Sequence, residues 1–154
     1  VLLLLGYETM RRRSELCNFT FGDLTRIPGR GHAIRLMRSK TDQEGASKLI
    51  PISDLLHSLI MEWQQKYQLE RYILRSVNRH GNLGEKLNSG SIGTILNRLN
   101  VSLGGDVNNC RFSGHSFRVG AAIDLLEAGA SLETIILRGG WRSQDNALNY
   151  LRSW

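Results

Sequence analysis

Apolar side chains in this chain recur mainly at helical spacing. Leu2 to Thr9 opens on an almost unbroken apolar run and reads as the tail of a buried helix, with a second helix expected over Arg12 to Asn18. Thr20 to Gly31, which holds Gly22-Asp23, Pro28 and Gly29-Arg30-Gly31, reads as turn chemistry. His32 to Lys40 alternates loosely and is expected to be a strand, paired through a Thr41–Gly45 turn with Ser47–Ile52. Ser53 is placed to cap a helix whose Leu55, Leu56, Leu59, Ile60 and Trp63 form one stripe. Tyr72 to Val77 is a short apolar run before an Asn78–Gly84 loop. Ile92, Ile95, Leu96 and Leu99 mark a further helix, capped at Ser89 or Ser91. After a Gly/Asn-rich loop from Val101 to Gly114, helices are expected from His115 to Ala128 and from Ser131 to Arg138, stopped by Gly129 and Gly139. A last helix is capped by Ser143 and carries Tyr150. Trp63, Leu55–Ile60, Ile92–Leu99 and Leu125-Leu126 are the expected core. The order describes an α+β domain that is predominantly helical, with a small antiparallel sheet.

Composition narrows the chemistry. The 154 residues carry 20 Lys+Arg against 14 Asp+Glu, a net charge of +6, which favours a polyanionic partner such as nucleic acid or an acidic membrane surface. The longest apolar run, VLLLL, is far short of the roughly 20 residues a membrane span needs. Four His and two Cys are scattered, with no Cys-x-x-Cys and no His-x-x-x-His, so no metal site is expected. Cys17 and Cys110 read as ordinary thiols of a reducing, cytoplasmic setting. One basic domain over residues 1–154 is expected. Because the chain begins at Val1, inside a hydrophobic pattern, it is expected to be a piece of something longer.

Three polar clusters break the logic of a core: Arg11-Arg12-Arg13-Ser14-Glu15-Leu16, Ser113-Gly114-His115-Ser116-Phe117-Arg118, and Gly139-Gly140-Trp141 with Tyr150 beyond. Each has an ordinary reading when taken alone. Arg11 and Arg13 belong to a solvated basic run, His115 is a helix-start residue, Trp141 is core, and Tyr150 is the surface of an amphipathic helix.

In this order, however, the clusters resemble the tyrosine recombinase (phage integrase) family. Its pattern is an Arg followed three residues on by an acid, a Lys in a hairpin, His-x-x-Arg, His or Trp, and a Tyr. Arg12 and Glu15, Lys40 in Arg38-Ser39-Lys40-Thr41, His115 and Arg118, Trp141 and Tyr150 match it in turn. Lys48 competes with Lys40 for the hairpin position.

The resemblance implies the family's DNA breaking-rejoining fold with a hairpin or three-stranded sheet. It also implies site-specific recombination or integration of double-stranded DNA through a 3′-phosphotyrosyl intermediate, with no cofactor and no metal. Arg12 and Arg118 would clamp the phosphate, since two guanidiniums hold its oxygens bidentately and stay charged. Tyr150 would be the nucleophile, Lys40 the acid for the leaving 5′-oxygen, His115 the base, Trp141 an N–H donor and Glu15 an orienting group. Arg79 and His80 are candidate groove contacts. The partners implied are DNA and, for the full-length parent, further copies assembling as a tetramer, in a bacterial or phage setting in the cytoplasm. Members carry an upstream core-binding domain and a helix after the Tyr, so this catalytic domain is expected to be truncated at both ends, with its last helix displaced or mobile. A non-cutting DNA-binding remnant and a type IB topoisomerase-like relaxing enzyme are the alternatives.

Overall fold

The computed structural model describes residues 1–37, 47–106, 112–141 and 143–151, with Tyr150 and Leu151 described by their backbone alone. Helix α1 (Leu2–Thr9) ends at Met10, whose left-handed φ of 53° lets its N–H reach the Gly6 carbonyl. That turn delivers Arg11 and Arg12 directly to α2 (Arg13–Leu16), a single turn and shorter than the expected Arg12–Asn18 helix.

Strands β1 (Leu24–Ile27), β2 (Gly31–Leu36) and β3 (Lys48–Ile52) form one antiparallel sheet in that order. β2 and β3 match the expected hairpin, whose Thr41–Gly45 turn lies outside the described residues. β1 falls in the segment read as turn chemistry. The turn signals there flank it: Gly22-Asp23 lies in a short 3-10 turn before it, and Pro28 to Gly31 at its end, where Ile27 pairs with Gly31. Ile34 stands opposite Leu24 on one side and Ile50 on the other, so a row of apolar residues crosses one face.

Three longer helices and two short ones follow: α3 (Asp54–Tyr67), α4 (Ser91–Ser102), α5 (Ser116–Glu127), then α6 (Leu132–Gly139) and α7 (Gln144–Leu151). Ser53 caps α3, its hydroxyl accepting the Leu56 N–H at 3.0 Å. The cap position of α4 is Gly90, with no side-chain bond from Ser89 or Ser91. Segment 71–73 runs beside 19–21, the Phe21 and Ile73 amides donating to the Arg71 and Phe19 carbonyls.

The core has two parts. The larger joins α1, α2, β2, β3, α3 and α4 around Leu5, Leu16, Phe19, Ile34, Leu56, Ile60, Ile73 and Ile92. The smaller gathers Met10, Ala121, Ala122, Ile135, Trp141 and Ala147. The expected core is too wide. Leu56 and Ile60 are fully buried, but Leu55 is 61% exposed, and Leu99 and Leu126 are exposed as well. Ala147 is fully buried and α7 packs on α5 and α6, so the last helix is docked rather than displaced. α1 lies on α5 closely enough that a Cβ on Gly6 would stand 2.6 Å from the Phe117 ring, and the Tyr7 hydroxyl donates to Asp124.

Leu56→Ala should cost about 3–5 kcal/mol of unfolding free energy, as full-size cavities do, whereas Leu55→Ala should stay within about 0.5 kcal/mol. Urea denaturation of the two variants against the parent chain checks which side of the stripe faces the core.

Candidate active site

The first cluster is built by a helix start. Glu15, at the third position of α2, accepts the Arg12 backbone N–H at 3.0 Å through Oε2, and its Oε1 lies 3.3 Å from Arg12 Nη1. An acid three residues after the capping residue is what reciprocal capping of a helix start requires. Here the same carboxylate also holds the Arg12 guanidinium. Glu15 is buried, while Arg12 stays partly open to solvent.

The second cluster starts α5. Gly114 lies against Arg13, where a Cβ would come within 3.1 to 3.4 Å of that side chain's Cβ, Cγ and Cδ. This seats the entry to α5 on α2. His115 follows as an exposed residue at the helix start, its amide donating to Ser113 Oγ at 3.2 Å. Partial burial lowers the His115 pKa below its ordinary value, and the cations Arg118, Arg13 and Arg12 lower it further. One imidazole therefore feels arginines from both chain segments.

Arg118 is buried. Its Nη2 donates to the Gly139 carbonyl at 2.9 Å, and its guanidinium carbon sits 4.8 Å from the centre of the Trp141 ring. The Gly-Gly before Trp141 meets two separate constraints. A Cβ on Gly139 would stand 1.8 Å from the Trp141 ring. Gly140 ends α6 in the left-handed region at φ 66°, where a Cβ would also meet Arg11 Nη1 at 2.6 Å. Trp141 is thus both core, as read alone, and a face for Arg118.

Arg11 is a correction. Read from the sequence as part of a solvated run, it is 2% exposed. Its Nε donates to the Thr9 carbonyl at 2.8 Å and its Nη2 to the Arg138 carbonyl. Burial lowers its pKa, Glu15 opposes that shift and Arg12 adds to it. Lys48 donates to the Leu137 carbonyl, its pKa lowered by burial and then by Arg11. Alternation or charge counting gives no sign of these two contacts; the Gly139-Gly140 pair is the one local hint that something approaches closely.

The remaining candidates fall elsewhere. Lys40 and the Tyr150 side chain lie outside the described residues; the Tyr150 backbone is on α7, three positions past buried Ala147. Arg79 and His80 are exposed in a turn held by Asn78 Oδ1, with Arg79 Nε 3.0 Å from His80 Nε2. Cys17 is buried and its thiol pKa is raised by that burial, which suits packing rather than nucleophilic work.

The sequence model of the phage integrase family matches residues 1–154. The chain belongs to the phage integrase family. It is 26% identical to the Cre recombinase of Escherichia phage P1 over 97% of this chain and 47% of that protein. In fold it is similar to the XerA recombinase, at a TM-score of 0.72 and 17% identity over 97% of this chain and 49% of that one. It is also similar to a lambda integrase fragment seen as a dimer bound to a COC′ core site, at a TM-score of 0.65 and 21% identity over 96% of this chain and 50% of that one. The chain spans about half the length of these relatives. Its architecture is that of a tyrosine recombinase catalytic domain. Among the described residues, no helix is long and apolar enough to cross a membrane.

His115 should titrate below 6.5 in an NMR pH series, and Arg13→Gln should move it upward by removing one of the three cations. Because folding disfavours the imidazolium, this group's stabilising contribution is complete above about pH 6.5 and is lost as pH falls towards the folded pKa. His57 is lowered in the same direction, by burial and then by His32. His115→Gln should therefore flatten only part of the acid loss of stability measured by urea titration between pH 7 and 5.

Proposed function

We propose that the protein containing this domain recombines double-stranded DNA at specific sites by cutting and rejoining it through a 3′-phosphotyrosyl intermediate. The observation that carries this reading is that the start of α5, which bears His115 and Arg118, rests against Arg13, the neighbour of Arg12, with Trp141 against Arg118. A phosphoryl transition state gathers charge on its non-bridging oxygens, and fixed cations in a partly desolvated site stabilise that charge most. Arg12 and Arg118 are the clamp. Tyr150 attacks the phosphorus: the Oη–P bond forms, the bond to the 5′-oxygen breaks, and that oxygen takes a proton from Lys40. The phenol proton passes to His115, whose lowered pKa leaves it unprotonated near pH 7 and so free to accept. Trp141 has an N–H to donate and no acceptor. Attack by a 5′-hydroxyl on the phosphotyrosine reverses the step, so the bond energy is kept and no ATP is consumed. Glu15 holds Arg12 in place.

The net charge of +6 supports a DNA partner. So do the relatives: XerH is known bound to a difH substrate, and the Tn1549 transposon integrase in complex with circular intermediate DNA. The lambda fragment's dimer supports self-association on DNA, extending to a synaptic tetramer in the full-length parent. The setting is the cytoplasm of a bacterium or a phage-infected cell.

A pool of duplexes nicked near a randomised core traps the covalent step, because the cut 5′ fragment diffuses away. The expected result is a denaturant-resistant protein–DNA adduct that Tyr150→Phe abolishes. Arg12→Ala should slow adduct formation by about 10²–10³ while weakening binding only modestly. An adduct that survives Tyr150→Phe overturns the mechanism. Equal, modest losses of binding and rate in Arg12→Ala would favour a DNA-binding remnant.

A further inference from the structure

The last four carbonyls of α6 have no acceptor role inside their own helix, and each is taken up from a different place. Ile136 accepts the Gly140 and Trp141 N–H groups at 2.9 and 3.2 Å. Leu137 accepts from Lys48 on β3, Arg138 from Arg11 between α1 and α2, and Gly139 from Arg118 on α5. Three cations, from a strand, an inter-helix turn and a helix, thus close on three consecutive carbonyls, at the end of a helix where positive charge is favoured.

Of the three, Arg118 belongs to the proposed clamp and Arg11 does not. Arg11 is tied at both ends, through Nε to the end of α1 and through Nη2 to the end of α6, and Gly140 leaves it room. The carbonyl it holds is adjacent to the one that Arg118 holds. Trp141, which backs Arg118, comes two residues after Gly139. Arg12, the other half of the clamp, is the next residue after Arg11 in the chain.

We infer that Arg11 is a positioning residue for the phosphate clamp: by joining the end of α1 to the last turn of α6, it sets the distance between Arg12 on one side and Arg118 with Trp141 on the other. It touches neither the DNA nor the reacting phosphate. Lys48 steadies the same turn from the neighbouring carbonyl. The assignment of a catalytic purpose rests on the function proposed above; the geometric coupling does not.

Arg11→Lys is the test, because it keeps the charge but cannot serve two carbonyls from a planar fork. In the intact chain, the His115 titration reports where Arg118 stands, since Arg118 is the foremost cation acting on it and Arg11 is not among those cations. Arg11→Lys should raise the His115 midpoint towards its ordinary value, with the resonance assigned by its loss in His115→Gln. On the nicked duplex pool, adduct formation should slow by about 10-fold or more at saturating DNA, as a misplacement of about 1 Å can cause, while the DNA dissociation constant stays within about twofold.

A variant that melts earlier but keeps the parental His115 titration and the parental cleavage rate would show Arg11 to be merely structural, overturning the inference. If Arg12→Ala leaves cleavage untouched, the proposed function fails, while the titration arm still judges the coupling. Should Arg11→Lys not fold, Lys48→Met applies the same titration from the next carbonyl: a raised His115 midpoint supports the inference and an unmoved one overturns it.

Discussion

Four backbone carbonyls at the end of α6 have no donors within their own helix, and the arrangement around them follows from where they find donors instead. A buried carbonyl left without a partner costs about 1–3 kcal/mol, a sizeable part of the roughly 5–15 kcal/mol that holds a domain folded. Arg118 meets that demand at the buried Gly139 carbonyl and Arg11 at the half-buried Arg138 carbonyl, while Lys48 takes the exposed Leu137 carbonyl, so that a strand, an inter-helix turn and a helix are drawn to one point. The burial of two arginines is tolerable there because each charge is hydrogen-bonded and faces the negative end of a helix.

The same point explains the glycines. Gly139 is bare because the Trp141 ring occupies the space of its side chain, and Gly140 because the chain must turn through positive φ beside Arg11. Gly114 makes room for Arg13 in the same way, and through it the start of α5 rests on α2. Small residues here set how closely charged ones approach. His115, at the start of α5, is held towards its neutral form first by partial burial and then by the field of Arg118, Arg13 and Arg12.

Much of this was legible in the residues themselves. Ser53, the Gly129 stop and the pairing of residues near 32 with those near 50 follow from local chemistry, and the structure has them all. The Arg12–Glu15 spacing was legible too, although its cause, a shared cap, needs the helix start to be seen. What local reasoning missed was decided by distant partners. Arg11 reads as solvated because the carbonyl that buries it lies 127 positions away. Leu55 reads as core because its stripe is wider than the surface α3 meets. β1 was hidden by the turn residues on either side of it. Among the described residues of α7 the fully buried side chain is Ala147, and so small a side chain carries little weight in a hydrophobic pattern.

The contacts that join the ends of the chain also set when the site comes into being. Tyr7 meets Asp124 across 117 positions and Arg11 meets Arg138 across 127, so neither bond repays its loop-closure entropy until most of the chain is in place. During synthesis the segment that ends in α2 emerges long before α5 and α6 exist. A nascent chain therefore presents Arg12 without Arg118, and a domain that loses its second core loses the packing of Trp141 against Arg118 with it. Completion of the fold and assembly of the arginine pair are one event.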